Sequence, residues 1–214
     1  MDADRFLREL PALFDDYPRS ELPRDPRFAR ILERIEGLAC ANNLALLNLA
    51  ASLVEPGECY LEIGSFKGAS LVSAMLGNED REFAALDSFA LAGGSRPQLE
   101  ATLRSFGLEP PEILEGDVFE LIHGGALEGR RVGACYWDLL HQYEPQLAGL
   151  RALEPHLAPG ALVIVDDSDW PGVERALPEY LAGQPRARSL VTIDGDRRGQ
   201  PWWWEGMAVL VWDA

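Results

Sequence analysis

After Pro56-Gly57, short apolar runs of strand length alternate with longer stretches that carry apolar residues at helical spacing. This alternation constrains the fold most, because strands separated by helices pair through right-handed crossovers into a mostly parallel sheet with helices on both faces. The predicted strands are Cys59–Ile63, Phe83–Leu86, Glu112–Leu114, Val132–Trp137, Leu162–Val165, Leu190–Ile193 and Met207–Trp212.

The gaps between these strands carry helical periodicity near residues 68–77, 97–106, 145–157 and 172–183, with a shorter candidate at Val118–Ile122. The last gap is different. Residues 194–206 contain Gly199 and Pro201 and few helix signals, so the final strand is predicted to return antiparallel, as a hairpin. The expected fold class is therefore α/β, a doubly wound seven-stranded sheet with an antiparallel last strand.

The N-terminal part of the chain shows helical rather than strand periodicity. Apolar residues recur at helical spacing in Asp4–Phe14, Phe28–Leu38 and Asn42–Val54, with a proline-rich break at Pro18–Pro26. We expect residues 1–55 to form a helical cap packed on residues 56–214. A chain of 214 residues suits such a single compact domain.

The formal net charge of −16 would repel polyphosphate backbones, so no nucleic-acid partner is predicted. The longest apolar runs are far too short to cross a bilayer, and no membrane partner is predicted. The N-terminus is acidic where a secretory signal would be basic, which predicts a cytoplasmic protein. The three cysteines have no paired spacing, which argues against a disulfide framework or a zinc site.

A glycine-containing loop follows the first strand. Gly64 allows a sharp turn, and Gly68 opens the next helix where its backbone must come close to a ligand. Glu62 stands where the first glycine of a dinucleotide fingerprint would be, and no phosphate-binding loop motif is present. A carboxylate at the head of this loop suits a ligand with ammonium and sulfonium charges. An ordinary strand-to-helix turn remains the alternative.

Acidic residues also follow the second and third strands. Asp87 is placed to accept hydrogen bonds from ribose hydroxyls, and Asp117 after Gly116 could meet the exocyclic amine of adenine. Each acid alone is more often a helix cap or a solvated turn residue. Together with Glu62 they lie at the carboxyl ends of successive strands, the edge where open α/β sheets bind ligands.

These residues resemble the class I S-adenosylmethionine-dependent methyltransferases. The stretch Asp138–Glu144 is similar to the Asp-Gly-x-His-x-Tyr-Glu run of the branch that includes macrocin-type sugar O-methyltransferases, and Leu157–Asp167 resembles its Leu-x-Pro-Gly-Gly strand ending in an acidic pair. The resemblance covers residues 58–175, with Leu139 and Ala161 in place of two glycines. It implies a Rossmann-like methyltransferase fold over residues 56–214 with S-adenosylmethionine as cofactor. The predicted cofactor-binding residues are Glu62, Gly64, Ser65, Phe66, Gly68, Asp87, Ser88, Gly116 and Asp117.

Three carboxylates are expected to converge where the fourth and fifth strands end. Asp138 ends one strand, and Asp166 and Asp167 end its neighbour. Like charges this close raise each other's pKa unless a cation neutralises them, and a hard divalent ion such as Mg²⁺ or Mn²⁺ would do so. The resemblance to metal-dependent members points the same way. The alternative is that Asp167 caps a turn and Asp166 binds backbone amides.

His141 follows Asp138 by three residues, and both side chains could face one site. An unperturbed histidine pKa of about 6.5 suits a general base at neutral pH. We therefore expect His141 and Asp138 to be catalytic, although a histidine at a helix start is otherwise usually a surface or capping residue. The predicted reaction is O-methylation of a small hydroxylated molecule, for example a sugar, a polyketide or a catechol-like acceptor, with the metal lowering the pKa of the hydroxyl.

Three alternative functions remain open at this stage. A methyltransferase without a metal would not need the acidic pair. A nicotinamide-dependent oxidoreductase is disfavoured by the missing glycine, and a non-catalytic protein that binds S-adenosylmethionine or S-adenosylhomocysteine is disfavoured by the intact acids and histidine. Whether copies of the chain form a homo-oligomer is not determined.

Three adjacent tryptophans, Trp202, Trp203 and Trp204, lie in the link before the last strand. Successive strand side chains alternate faces, so the three cannot all point into one core layer. At least one is expected to face the mouth of the site or a partner subunit. The alternative is that all three brace the hairpin against the N-terminal helices.

Overall fold

The computed structural model describes residues 2–90 and 93–213. Its centre is a seven-stranded sheet with the order β3-β2-β1-β4-β5-β7-β6. The strands are β1 Cys59–Ile63, β2 Glu82–Asp87, β3 Glu112–Glu115, β4 Val132–Trp137, β5 Leu157–Asp166, β6 Ala187–Ile193 and β7 Met207–Trp212. The helices are α1 Ala3–Glu9, α2 Arg27–Arg34, α3 Ala41–Ser52, α4 Ala69–Met75, α5 Arg96–Ser105, α6 Val118–His123, α7 Tyr143–Leu153 and α8 Pro171–Gly183.

The predicted topology is confirmed. Strands β1 to β5 pair in parallel, and β7 lies between β5 and β6 and is antiparallel to both. Strand β6 therefore runs in the same direction as β1 to β5. The carboxyl ends of β1 to β6 meet at one edge of the sheet, and the link between β6 and β7 lies at that edge.

Three predicted helices extend too far. The helix expected at Asp4–Phe14 ends at Glu9 and is followed by a short 3₁₀ turn at Pro11–Leu13. The helix expected near residues 145–157 ends at Leu153, because Pro155 cannot donate the next helical hydrogen bond and Leu157 already pairs with Val132 of β4. The helix expected at Phe28–Leu38 ends at Arg34. In each case isolated apolar residues at helical spacing, such as Leu13, Leu38 and Leu157, continue past the helix end, so periodicity alone did not mark the boundary.

Alternate residues along the strands build two cores, one on each face of the sheet. Tyr60, Tyr136 and Ile164 pack with the helices of the N-terminal part and with α4 and α5. Leu61 and Val163 point to the opposite face, against α6, α7 and α8. The N-terminal helices thus pack directly on the sheet, and Phe6 of α1 is fully buried there.

In the part of the chain that the structure describes, none of the helices combines the length and the apolar character needed to span a membrane.

Candidate active site

The loop after β1 is held by the carboxylate of Asp87. One Asp87 oxygen accepts hydrogen bonds from the backbone amides of Ser65 at 2.7 Å and Phe66 at 2.8 Å, and the other accepts from the amide of Phe89 at 2.6 Å. Phe66 has a left-handed backbone with φ of 47°, which these two bonds stabilise. Asp87 therefore joins the ends of β1 and β2, a role that its position after a strand did not reveal.

Gly68 is required for packing between two helices. Its φ is 95°, and a Cβ there would lie 2.5 Å from Cδ1 of Leu99 in α5. The sequence predicted a close approach to a ligand at this position, and the structure shows in addition that the Leu99 side chain packs against it.

Glu62 is a fully buried carboxylic acid in the middle of the sheet. Its Oε1 accepts from the hydroxyl of Ser70 at 3.0 Å, while Oε2 has no hydrogen-bond partner in the described structure. Burial raises the pKa of Glu62 to about 8, and the neighbouring charge of Asp87 adds to the shift. A cationic ligand at this edge would relieve that cost by favouring the ionised form.

The remaining predicted cofactor-binding residues lie nearer to solvent. Asp117 is exposed and caps α6, where its side chain accepts from the amide of Glu120 at 3.0 Å. The amide of Gly116 donates to the carbonyl oxygen of Asp87 at 3.0 Å, which places the end of β3 beside that of β2. Ser88 is exposed, and its hydroxyl accepts from the amide of Ala90.

Gly64 lies where the loop after β1 contacts the residue that follows β4. Its φ is 85°, and a Cβ on Gly64 would lie 1.9 Å from the carbonyl oxygen of Asp138. The Asp138 amide donates to the carbonyl oxygen of Ile63 at 2.9 Å. Only glycine combines this conformation with so close a backbone contact, so the ends of β1 and β4 lie side by side.

The three predicted acids come together at the ends of β4 and β5. Burial raises the pKa of Asp138 to about 8, and the charges of Asp167, Glu62 and Asp87 add to the effect. Burial likewise raises the pKa of Asp166 well above its ordinary range, with further contributions from Asp138 and Asp167. The pKa of Asp167 rises to about 6, through burial and the charge of Glu205. The three carboxylates therefore lie close together, as predicted from their positions at the ends of neighbouring strands.

His141 lies over this acidic group. Its Nε2 is 3.2 Å from Oδ2 of Asp167 and 3.9 Å from Oδ1 of Asp138. Burial lowers the pKa of His141, which keeps the imidazole neutral at pH 7. The loop that carries it packs closely on α8, because a Cβ on Gly172 would lie 2.2 Å from the His141 carbonyl oxygen.

Two aromatic residues of this site were not singled out from the sequence. Tyr136, two residues before Asp138, is buried beside the acidic group: burial raises its pKa well above the usual value, and the charges of Asp138 and Asp166 add to the shift. Trp170 lies 5.4 Å from the ring of His141, and the Arg197 guanidinium lies 5.0 Å from the Trp170 ring centre. The spacing along β4 could have identified the tyrosine. Nothing in the sequence marked Trp170.

The three adjacent tryptophans have different environments. Trp203 is fully buried; its ring Nε1 donates to the carbonyl oxygen of Pro18 at 2.6 Å and its ring packs 5.3 Å from that of Phe14. Trp202 and Trp204 are each 37% exposed and line an open cavity. One indole thus braces the link against the N-terminal part, as the alternative held, and two face solvent.

Carboxylate oxygens that could bind a metal are present, but they are not arranged as a preformed metal site. Oδ1 of Asp166 and Oδ1 of Asp167 are buried without hydrogen-bond partners. Among the described residues, however, no three histidine, cysteine or acidic side chains are arranged to hold an ion. The carboxylates therefore suit a hard divalent cation by their chemistry, and their side chains would have to turn to surround one.

A family model described as a methyltransferase domain matches residues 61–168, just over half of the chain. That span runs from β1 to the residue after the acidic pair and contains both halves of the site. The chain belongs to this methyltransferase family. The predicted class, a class I S-adenosylmethionine-dependent methyltransferase, is confirmed. The comparison of this chain with curated protein sequences found no significant match.

Solved structures share the whole fold of this methyltransferase at low identity. The cofactor-bound protein Rv0187 from MTB is 19% identical with a TM-score of 0.67, over 98% of this chain and 95% of that one. TomG from Streptomyces achromogenes, an O-methyltransferase of tomaymycin synthesis solved with S-adenosylmethionine, is 20% identical with a TM-score of 0.64, over 100% of both chains. CalS11, a TDP-rhamnose 3′-O-methyltransferase of calicheamicin biosynthesis, is 22% identical with a TM-score of 0.61, over 99% of this chain and 93% of that one.

Proposed function

We propose that this methyltransferase transfers the methyl group of S-adenosylmethionine to a hydroxyl group of a small molecule. The observation that carries the proposal is the contact of Gly64 with Asp138, which sets the loop after β1 beside the acidic group and His141. A donor on the loop side and an acceptor on the acidic side would then meet at one point. Holding two reactants in attack geometry supplies much of the acceleration in such a transfer.

The cofactor half of the proposal rests on the residues around the loop after β1. Asp87 supplies a carboxylate at this loop, and Glu62, with its unpartnered Oε2, would ionise beside a ligand that carries ammonium and sulfonium groups. Gly64, Ser65, Phe66 and Gly68 form the loop, and Ser88, Gly116 and Asp117 border it at the ends of β2 and β3. Calorimetry with S-adenosylmethionine and, separately, with NAD tests this half. Binding of NAD alone would contradict it.

His141 is the proposed base. In the proposed tautomer the proton is on Nε2, the nitrogen 3.2 Å from Oδ2 of Asp167, and the lone pair is on Nδ1. In the proposed step this lone pair takes the proton of the acceptor hydroxyl. The oxygen forms its bond to the methyl carbon as the carbon–sulfur bond of the sulfonium breaks, leaving a methyl ether and S-adenosylhomocysteine. Asp167, whose pKa of about 6 leaves it ionised at pH 7, stabilises the imidazolium that forms, and Asp138 lies 3.9 Å from the same nitrogen.

A divalent cation, Mg²⁺ or Mn²⁺, is the second element of the proposal, with Asp138, Asp166 and Asp167 as its ligands. Burial raises the pKa of all three, and neighbouring carboxylates add to each shift, a cost that a cation would relieve. When bound, such an ion lowers the pKa of a coordinated hydroxyl. The 3.2 Å contact between His141 and Asp167 favours the metal-free variant of the same reaction, in which Asp167 only orients the base.

Chelation distinguishes the two variants. If an ion is needed, excess chelator abolishes turnover while calorimetric binding of S-adenosylmethionine is retained, and Mg²⁺ restores the rate. Full turnover in chelator, together with protein that contains no metal by elemental analysis, would leave the reaction to His141 alone.

A further inference from the structure

An open cavity of about 540 Å³ lies where α2 and the start of α3 face the link between β6 and β7. We call it the tryptophan cavity, because Trp202 and Trp204 form one wall. Leu22 and Leu32 are among the apolar residues that line the rest. Trp202 and Trp204 each leave 37% of their surface open, and Leu22 of the same cavity leaves 54%. Exposed apolar residues grouped in this way mark binding or interaction sites.

The tryptophan cavity borders the acidic group of the site. Cys40 lies in its wall, and the thiol donates to the carbonyl oxygen of Trp202 at 2.9 Å. Met207, three residues after Trp204, pairs with Asp166 at the end of β5, so this wall is close to the acidic group. The link is also tied to β5 directly, because the Asp169 amide donates to the carbonyl oxygen of Glu205 at 2.9 Å.

The charges around the cavity have one sign. Glu21 and Glu33 line it, both are exposed, and neither has an ion pair within residues 2–90 and 93–213. None of the described residues that line it is basic. In the adjoining link, Arg197 pairs with Glu205, and Arg198 pairs with the carboxylates of residues 169, 174 and 194. The lining itself therefore offers no positive charge to an anionic ligand, whereas a cation would find two carboxylates.

We propose that the tryptophan cavity binds the ring of the methyl acceptor, and that this acceptor is an uncharged or cationic hydroxyaromatic molecule. The inference rests on the proposed function and specifies its substrate class. The exposed faces of Trp202 and Trp204 offer stacking to a flat ring, and they attract a cation as well. The acidic lining excludes carboxylate or diphosphate acceptors by repulsion.

Binding of four probes by calorimetry, with S-adenosylhomocysteine present, tests the class without requiring turnover. The probes are catechol, dopamine, 3,4-dihydroxybenzoate and TDP-rhamnose. We expect dopamine to bind at least as tightly as catechol, and both anions at least tenfold more weakly. Equal or tighter binding of an anion, or binding of no probe, would overturn the proposal. If dopamine binds but no methyl group is transferred, the cavity stands and the proposed function fails.

Matched variants locate the binding. Trp204→Ala should weaken dopamine binding at least tenfold while the affinity for S-adenosylhomocysteine is unchanged, and Leu7→Ala, which removes a similarly exposed apolar side chain from α1, should change neither. Glu33→Lys should reduce the preference for dopamine over the acid, and Glu109→Lys, the same charge change away from the cavity, should not. Dopamine affinity unaffected by Trp204→Ala would overturn the proposal. So would a dimer, seen by sedimentation, that Trp204→Ala dissociates, because the cavity would then be an interface between copies.

Discussion

Replacing Glu62 by Gln should remove a large part of the fall in stability between pH 5 and pH 8, because Glu62 is the clearest case of a buried acid kept neutral by the fold. It is fully buried, Oε2 has no partner, and its pKa is about 8 against 4.5 for an ordinary glutamate. Gln retains an oxygen that accepts from the Ser70 hydroxyl but cannot ionise. Its amide N–H bonds, however, would replace the unpartnered oxygen.

The size of the effect follows from the two pKa values. Between pH 5 and pH 8 the unfolded chain has released the Glu62 proton and the folded chain largely retains it, so the folded state binds more protons and the free energy of unfolding falls as the pH rises. At about 1.4 kcal/mol per pH unit of difference, the loss over this interval is about 3.5 kcal/mol. In a domain of this size, that corresponds to a fall in Tm of about 10 °C.

The Glu62→Gln variant lacks this contribution. At pH 5 it should be less stable than the wild type by about 1–2 kcal/mol, because a buried amide is left without a partner. At pH 8 it should be the more stable protein. Urea unfolding of both proteins without ligand, at pH 5, 6, 7 and 8, measures the difference. Glu82→Gln, an exposed glutamate at the start of β2, is the control and should leave the pH dependence unchanged.

Parallel stability curves for the wild type and Glu62→Gln from pH 5 to pH 8 would refute the reasoning. They would mean that Glu62 ionises equally in the folded and unfolded chain. A variant that loses more stability at pH 8 than at pH 5 would show that the folded state prefers ionised Glu62.

Further predictions concern the other parts of the site. Asp87→Asn should weaken S-adenosylmethionine binding by about 1–3 kcal/mol in calorimetry, because the amides of the loop after β1 lose a charged acceptor; unchanged affinity in a folded variant would exclude Asp87 from the site. His141→Ala should lower kcat by about 10²- to 10⁴-fold with little change in cofactor affinity. Because burial lowers the pKa of His141, the acid limb of the wild-type profile of kcat against pH should have its midpoint below about pH 6.5. A midpoint above that value would contradict the assignment. Gly64→Ala should cost at least about 2 kcal/mol more than Gly57→Ala in urea unfolding, since both positions have left-handed backbones but only at Gly64 does the added Cβ clash, with Asp138; equal costs would mean that β4 yields freely. Trp203→Ala should cost about 3–5 kcal/mol of stability, as expected for a fully buried large aromatic side chain, and a loss below 1 kcal/mol would show that it does not brace the link.

Much of the fold and part of the site follow from local sequence patterns. The apolar runs of β1, β4 and β7 have the same bounds in the structure as in the prediction, because buried strands need continuous apolar sequence and these runs end sharply. Acids that follow strands must lie at one edge of a parallel sheet, whatever the details of packing. For this reason the convergence of Asp138, Asp166 and Asp167 could be predicted without coordinates.

Other features depended on contacts between residues far apart in the chain. That Asp87 holds the loop after β1, that Gly68 makes room for Leu99, and that Trp203 is buried while its neighbours are exposed are all consequences of packing between separate elements. The periodicity of a segment indicates which of its faces is buried. It does not indicate which distant residue packs against that face. The composition of the tryptophan cavity was decided in the same way, only when the N-terminal segment and the link before β7 met in the folded chain.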